Sequence, residues 1–173
     1  MRAEIEKKMK ETADYIFRHP EISEQEVQSS RALAAFLEEE GFALSWGIAG
    51  FETAFLAQWG QGKPIIGFLA EYDALPGMGQ EVCSARRPSG GPGHGCGHNL
   101  LGTACAGAAC ALKERMEKEG LSGTVRVYGC PAEETVIGKI RMNAEGGFDD
   151  LSAAVTWHPF DRNRVSYDIW QAQ

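Results

Sequence analysis

The 173-residue sequence predicts an α/β protein, a three-layer sandwich on a mostly parallel or mixed sheet. Helical and strand-like patterns alternate along it, with no repeat or low-complexity tract between them. Several strand-like runs are continuously apolar, as strands covered on both faces are. The polar clusters Glu71 with Asp73, Glu133 with Glu134, and His158 each follow such a run. Strand ends of one sheet can converge in space although far apart in the chain.

Ile5, Met9, Ala13, Ile16 and Phe17 recur at helical spacing over residues 1–18, and Pro20 ends that helix. Ser23, ahead of Glu24 and Glu26, reads as the N-cap of a second helix. Its apolar stripe is Val27, Leu33, Phe36 and Leu37, and Gly41 closes it. Both helices are amphipathic, so both are expected against the sheet. Residues 43–46 and 53–59 are strand-like and separated by glycine turns, a hairpin-like pair. Residues 64–70 form a continuous apolar run that ends on Glu71-Tyr72-Asp73.

Residues 75–95 hold six glycines, three prolines and the pair Arg86-Arg87, which predicts a long irregular loop. Residues 100–117 read as a helix whose first half is small (Gly102, Ala104, Ala106, Gly107), permitting close packing on a sheet or another helix. Gly120 closes it. A strand is expected over 124–129, a short helix over 137–144, a strand over 153–157 and a further strand over 164–170.

Composition excludes several function classes. The 43% hydrophobic and 24% charged content is that of a globular chain rather than a disordered one. A net charge of -7 offers no field for a polyanion, so neither nucleic acid nor an anionic membrane is an expected partner. No run approaches a membrane span, and the charged amino terminus lacks an apolar leader core. Five cysteines, an odd number, argue against a disulfide framework, and a cytoplasmic protein is expected. Cys105 and Cys110 read as small buried hydrophobes; Cys96 alone sits among other potential ligands.

The chemistry concentrates in Gly93-His-Gly-Cys-Gly-His-Asn99, with Glu133-Glu134 and His158 downstream. Metal-dependent hydrolysis needs one or two cations, an open position for water, a carboxylate to take the water's proton and a means of polarising the carbonyl. Cys96 and His98 could hold one metal or divide between two. Adjacent carboxylates allow a division of labour, with Glu134 facing the metal and Glu133 acting as general base. Taken singly, each feature also has a plainer reading. A Cys-x-His pair arises by chance or in structural zinc sites, paired glutamates are commonly solvated, and His158 could be an edge histidine. His94 would shape the loop, and His19 would cap the last carbonyls of the first helix. A glycine-rich turn before a helix can also bind phosphate, but no P-loop or dinucleotide fingerprint and no basic residue inside the loop supports a nucleotide.

In combination the motifs are more specific. His19-Pro20-Glu21 followed by Glu26, Ala70-Glu71-Tyr72-Asp73-Ala74-Leu75-Pro76, Gly95-Cys96-Gly97-His98, Pro131-Ala132-Glu133-Glu134 and His158-Pro159 occur in an order that resembles the M20 family of metal-dependent amidohydrolases and carboxypeptidases. Within it the chain is most similar to the branch of hippurate and auxin-conjugate hydrolases, and there to the aminobenzoyl-glutamate-hydrolysing type. The resemblance implies a zinc-peptidase-like catalytic domain with Cys96, His98, Glu134 and His158 as metal ligands and Glu133 as catalytic base. It also implies that Asp73 orients a ligand, and that a complete site holds two ions, Zn2+ or Mn2+. Glu71 stands where other branches carry a metal-binding His, and Asn99 where relatives often carry Asp.

The resemblance further implies that residues 1–173 are the amino-terminal part of the catalytic domain. The lid or dimerisation domain, the rest of the catalytic domain and a last ligand His would lie in the remainder of such a protein. The expected reaction is cleavage of the amide of an N-acyl or N-aroyl amino acid, with Glu133 deprotonating an activated water and returning the proton to the leaving amine. The competing expectation is a non-catalytic fragment that folds and self-associates, as a homo-oligomer, through uncovered apolar strand edges.

Overall fold

The computed structural model describes residues 2–162. The strand expected over 164–170 lies outside them. The elements are α1 (Ala3–Arg18), α2 (Val27–Glu39), β1 (Ala43–Trp46), a short 3-10 turn (Ile48–Gly50), β2 (Phe55–Gln61), β3 (Ile65–Glu71), α3 (His98–Glu119), β4 (Gly123–Cys130), α4 (Gly138–Ala144) and β5 (Ala153–Val155). The five strands form one mixed sheet in the order β1-β2-β4-β3-β5. β1 and β2 pair antiparallel, as the hairpin-like pattern predicts, and β2 pairs antiparallel with β4. β3 lies between two parallel neighbours, β4 and β5. Its unbroken apolar run, Ile65 to Ala70, matches that central place.

α2 and α3 cover one face of the sheet around Leu33, Leu37, Phe55, Leu101 and Val127. α4 and the residues after it close the other face, where Met142 and Phe148 pack with Tyr128 and Cys130. The expectation for α1 is corrected: it packs chiefly on α3 and α2 rather than on strands. The reason lies in the small first half of α3. A Cβ on Gly102 would collide with the Glu71 carbonyl of β3, and one on Gly107 with Met9 of α1. α3 is therefore flush with the sheet on one side and with α1 on the other. Cys105 and Cys110 are buried in this layer as small hydrophobes.

Two further expectations change. Ser23 does not cap α2, which begins at Val27 after Glu26 with no side-chain cap; the Ser23 hydroxyl instead donates to Asp73 Oδ2 at 2.8 Å. The last described strand stops at Val155 rather than Trp157. Trp157 turns aside to donate its indole N–H to the Leu101 carbonyl at 3.2 Å, taking His158 out of the strand and towards α3. The long loop between β3 and α3 folds back on itself, with Leu75 and Gly93 exchanging backbone hydrogen bonds of 2.9 and 3.0 Å.

Candidate metal centre

Three strand ends and the start of α3 meet at His98. Gly97, in the left-handed region at φ 82°, turns the chain so that His98 becomes the first residue of the helix. Its ring is fully buried. Asp73, just beyond β3, accepts from His98 Nδ1 at 2.9 Å through Oδ1. Asp73 Oδ2 accepts from the Ser23 hydroxyl and from the Glu134 amide at 2.9 Å. Burial pushes the Asp73 carboxyl up, but these donors outweigh it and hold it below the usual carboxylate range. Burial pushes the His98 imidazole down, and Asp73 and Glu71 outweigh it, leaving its pKa raised. With Nδ1 committed to Asp73, Nε2 carries the free lone pair.

That nitrogen is buried and has no hydrogen-bond partner among the described residues. Glu71 Oε2 stands 3.2 Å from it and Glu133 Oε2 3.6 Å, neither with hydrogen-bond geometry. Cys96 Sγ lies 3.1 Å from His158 Nε2, and one ligand atom each of Cys96, His98 and His158 falls within 4.8 Å of the others. Glu134 is beside rather than inside that group: Oε1, 3.8 Å from His98 Nδ1, is also buried without a hydrogen-bond partner. Burial and the nearby Glu134 push the Cys96 thiol up to about 12. A soft sulfur, two imidazoles and an orphaned buried carboxylate oxygen form a donor set that fits a divalent cation.

The loop bearing Glu133 and Glu134 is strained. Ala132 and Val136 both take positive φ, 55° and 60°, uncommon for any side chain and a true outlier for a β-branched one. Glu26, fully buried, straps that loop: Oε1 accepts from the Ala132 and Glu24 amides at 2.8 Å each, and Oε2 from the Thr53 hydroxyl at 3.1 Å. Burial raises the Glu26 pKa despite these bonds. Glu133 stays about one-third exposed, open to water at the mouth of the cluster.

The sequence-predicted residues Asp73, Cys96, His98, Glu133, Glu134 and His158 thus come together. His94 and His19 do the plainer work expected of them. His94 donates from Nε2 to the Ile16 carbonyl at 3.2 Å, with burial bringing its pKa down to about 4, and His19 donates from Nδ1 to the Tyr15 carbonyl at 2.7 Å. Sequence reasoning missed three contributors. Ser23 carries only a turn-like signal, and Glu26 appears in the motif without a role. Lys139, whose ammonium pairs with Glu71 Oε1, reads only as a polar position of a short helix.

The Peptidase family M20/M25/M40 model matches residues 67–169, more than half of the chain. The chain belongs to Peptidase family M20/M25/M40. Among curated relatives, a p-aminobenzoyl-glutamate hydrolase polypeptide of Escherichia coli (strain K12) is 51% identical over 150 residues, covering 85% of this M20 chain and 31% of the relative. The human Xaa-Arg dipeptidase is 37% identical over 166 residues, covering 86% and 34%. A crystal structure of a dinuclear metal binding peptidase of the M20 family from Bacillus subtilis superposes with a TM-score of 0.75 at 28% identity, over 89% of this chain and 43% of that one. The M20 chain therefore spans about a third of the length of these curated relatives. Among its described residues no helix is long and apolar enough to cross a membrane.

Proposed function

We propose that this chain carries the metal-binding wall of an amidohydrolase that cleaves the amide bond of N-acyl or N-aroyl amino acids, aminobenzoyl-glutamate and small dipeptides being the substrate models. One observation carries the reading: His98, whose Nδ1 is held by Asp73 and whose buried Nε2 has no hydrogen-bond partner among the described residues, lies within ligand reach of Cys96 and His158. The similarity to an aminobenzoyl-glutamate hydrolase and to a dinuclear metal binding peptidase supports the same chemistry.

Cys96, His98, His158 and Glu134 would hold the divalent ions, two in a complete site and Zn2+ or Mn2+ by donor type. When bound, such ions supply Lewis acidity that polarises the amide carbonyl and acidifies water. Glu133, beside the cluster yet open to solvent, takes a proton from the attacking water. The water oxygen bonds to the acyl carbon, the carbon–nitrogen bond breaks, and Glu133 hands the proton to the leaving amine. Asp73 keeps the His98 tautomer and ring orientation fixed throughout. Five unpaired cysteines suit a reducing, cytoplasmic setting for this chemistry.

Zinc titration of the purified chain tests the site. Cys96→Ala, His98→Ala and Glu134→Ala should each weaken binding, whereas Glu133→Gln should leave it intact. In the complete protein Glu133→Gln should lower turnover about 10²- to 10⁴-fold at unchanged metal content. Zinc affinity indifferent to Cys96 and His98 would refute the site, and full turnover in Glu133→Gln would refute the base.

A second reading is a folded unit that associates without turnover. It is favoured by β5 at the sheet edge, where Val155, Trp157 and Phe160 are exposed. Amide hydrolysis by the purified chain with added zinc or manganese would dismiss it, while dimers in sedimentation without hydrolysis would favour it.

A further inference from the structure

His98 sits where two groups of potential ligands overlap. One joins it to Cys96 and His158, the other to Glu71 and Glu133, and in each the ligand atoms lie within 4.8 Å of one another. Because Asp73 holds Nδ1, a single imidazole nitrogen remains, and one lone pair serves one cation. The two groups therefore compete for His98. On charge alone the pair of carboxylates should prevail for a hard cation, since oxygen donors suit Mg2+ and Mn2+ better than thiol and imidazole do. A cation drawn there would also ligate Glu133 and remove it as a base.

The Glu71 side already has a positive charge. Lys139, on the first turn of α4, reaches across to Glu71 Oε1, and its side chain is 31% exposed. Among the described residues it is the only ammonium or guanidinium paired with Glu71, Asp73, Glu133 or Glu134. The opposite oxygen of the same carboxylate, Oε2, is the one that faces His98 Nε2 at 3.2 Å. A divalent ion between Glu71 and Glu133 would thus lie close to a fixed ammonium, in a part-buried place where like charges repel strongly.

We infer that Lys139 is a positioning residue which occupies the cation place of the Glu71–His98–Glu133 group, directing bound metal to the Cys96–His158 side and leaving Glu133 unligated. This rests on the metal-binding reading of Cys96, His98 and His158 proposed above, and goes beyond it by assigning Glu71 to Lys139 instead of to metal.

Cobalt and manganese binding to the purified chain test it without any assay of turnover. The native chain should show the thiolate-to-cobalt charge-transfer band. In Lys139→Met, Mn2+ binding, followed by loss of the free-ion paramagnetic resonance signal, should tighten by about tenfold or more, and the sulfur band should weaken at equal cobalt occupancy. Lys139→Arg should behave as the native chain, and combining Lys139→Met with Glu71→Gln should restore native Mn2+ affinity. Unchanged Mn2+ affinity and an unchanged band in folded Lys139→Met would overturn the inference. Glu71→Gln alone provides a check that does not depend on that variant folding. It should leave native Mn2+ affinity unaltered, and a clear loss would make Glu71 a ligand and also overturn it. If the native chain binds cobalt with no sulfur band, the Cys96 reading itself fails and this inference with it, an outcome distinct from the others.

Discussion

Asp73 is a small residue with three obligations. One carboxylate fixes the His98 tautomer, tethers Ser23 at the entrance to α2, and accepts the Glu134 amide, so residues from three distant stretches share it. Asp73→Asn replaces one acceptor oxygen by a donor, so His98 or the Glu134 amide must lose its partner. Zinc affinity of the chain should fall by about 10- to 100-fold, read by competition with a chromophoric chelator. Glu26 makes a separable case, because its two oxygens face two amides and a hydroxyl. Glu26→Gln can keep Oε1 on both amides and turn its Nε2 to the Thr53 oxygen, whereas Glu26→Ala orphans the buried Ala132 N–H and removes the acceptor of the part-buried Glu24 N–H and of the buried Thr53 hydroxyl. Denaturant unfolding should show about 2–4 kcal/mol lost in the alanine variant and under about 1 kcal/mol in the glutamine one. Burial raises the Glu26 pKa, so between the ordinary carboxylate range and that raised value the native chain binds more protons than the unfolded chain. Native stability therefore declines as pH climbs through that window, and Glu26→Gln should gain on the native chain over the same interval. A stability gap independent of pH would contradict this.

At the scale of elements, α3 does two jobs with two glycines. Gly102 lies against the Glu71 carbonyl, which is backbone and cannot yield, while Gly107 lies against the flexible end of Met9. Gly102→Val should therefore cost about 1–3 kcal/mol in urea unfolding and disturb the cluster through Glu71, whereas Gly107→Ala should cost distinctly less because the Met9 thioether can swing away. Equal penalties would mean that the helix shifts as a rigid rod. The same elements explain what the sequence could disclose. The apolar run Ile65–Ala70 declares a central parallel strand, and the glycines around Cys96 and His98 declare a loop entering a helix, since period and turn chemistry are local properties. Ser23 misled because a hydroxyl before two glutamates has the local look of a cap, while its real partner is 50 residues away in sequence. Lys139 gave no signal at all: its partner, Glu71, is 68 residues away, and no periodicity encodes a tertiary ion pair.

For the whole molecule, the cluster is a clasp that joins the start of α3 to the segments following β4 and β5. His98 opens α3, Glu134 rides on the strained loop after β4, and His158 follows β5, whose three exposed residues pair, among the described residues, with β3 alone. His158 is kept near by the Cys96 contact and by Trp157 on Leu101. A cation bound across these groups binds the folded chain and not the unfolded one, so it stabilises by mass action, about 2.7 kcal/mol at a free concentration one hundred times its dissociation constant. Thermal unfolding of the chelator-treated chain should therefore shift upward on adding zinc, and hydrogen exchange should slow in β5 and the residues leading to His158 more than in β1, at the far edge of the sheet. His98→Ala should abolish both responses, because it removes the residue common to both ligand groups among the described residues. A zinc-induced shift that survives in His98→Ala would place the bound metal elsewhere on the molecule and dissolve the clasp.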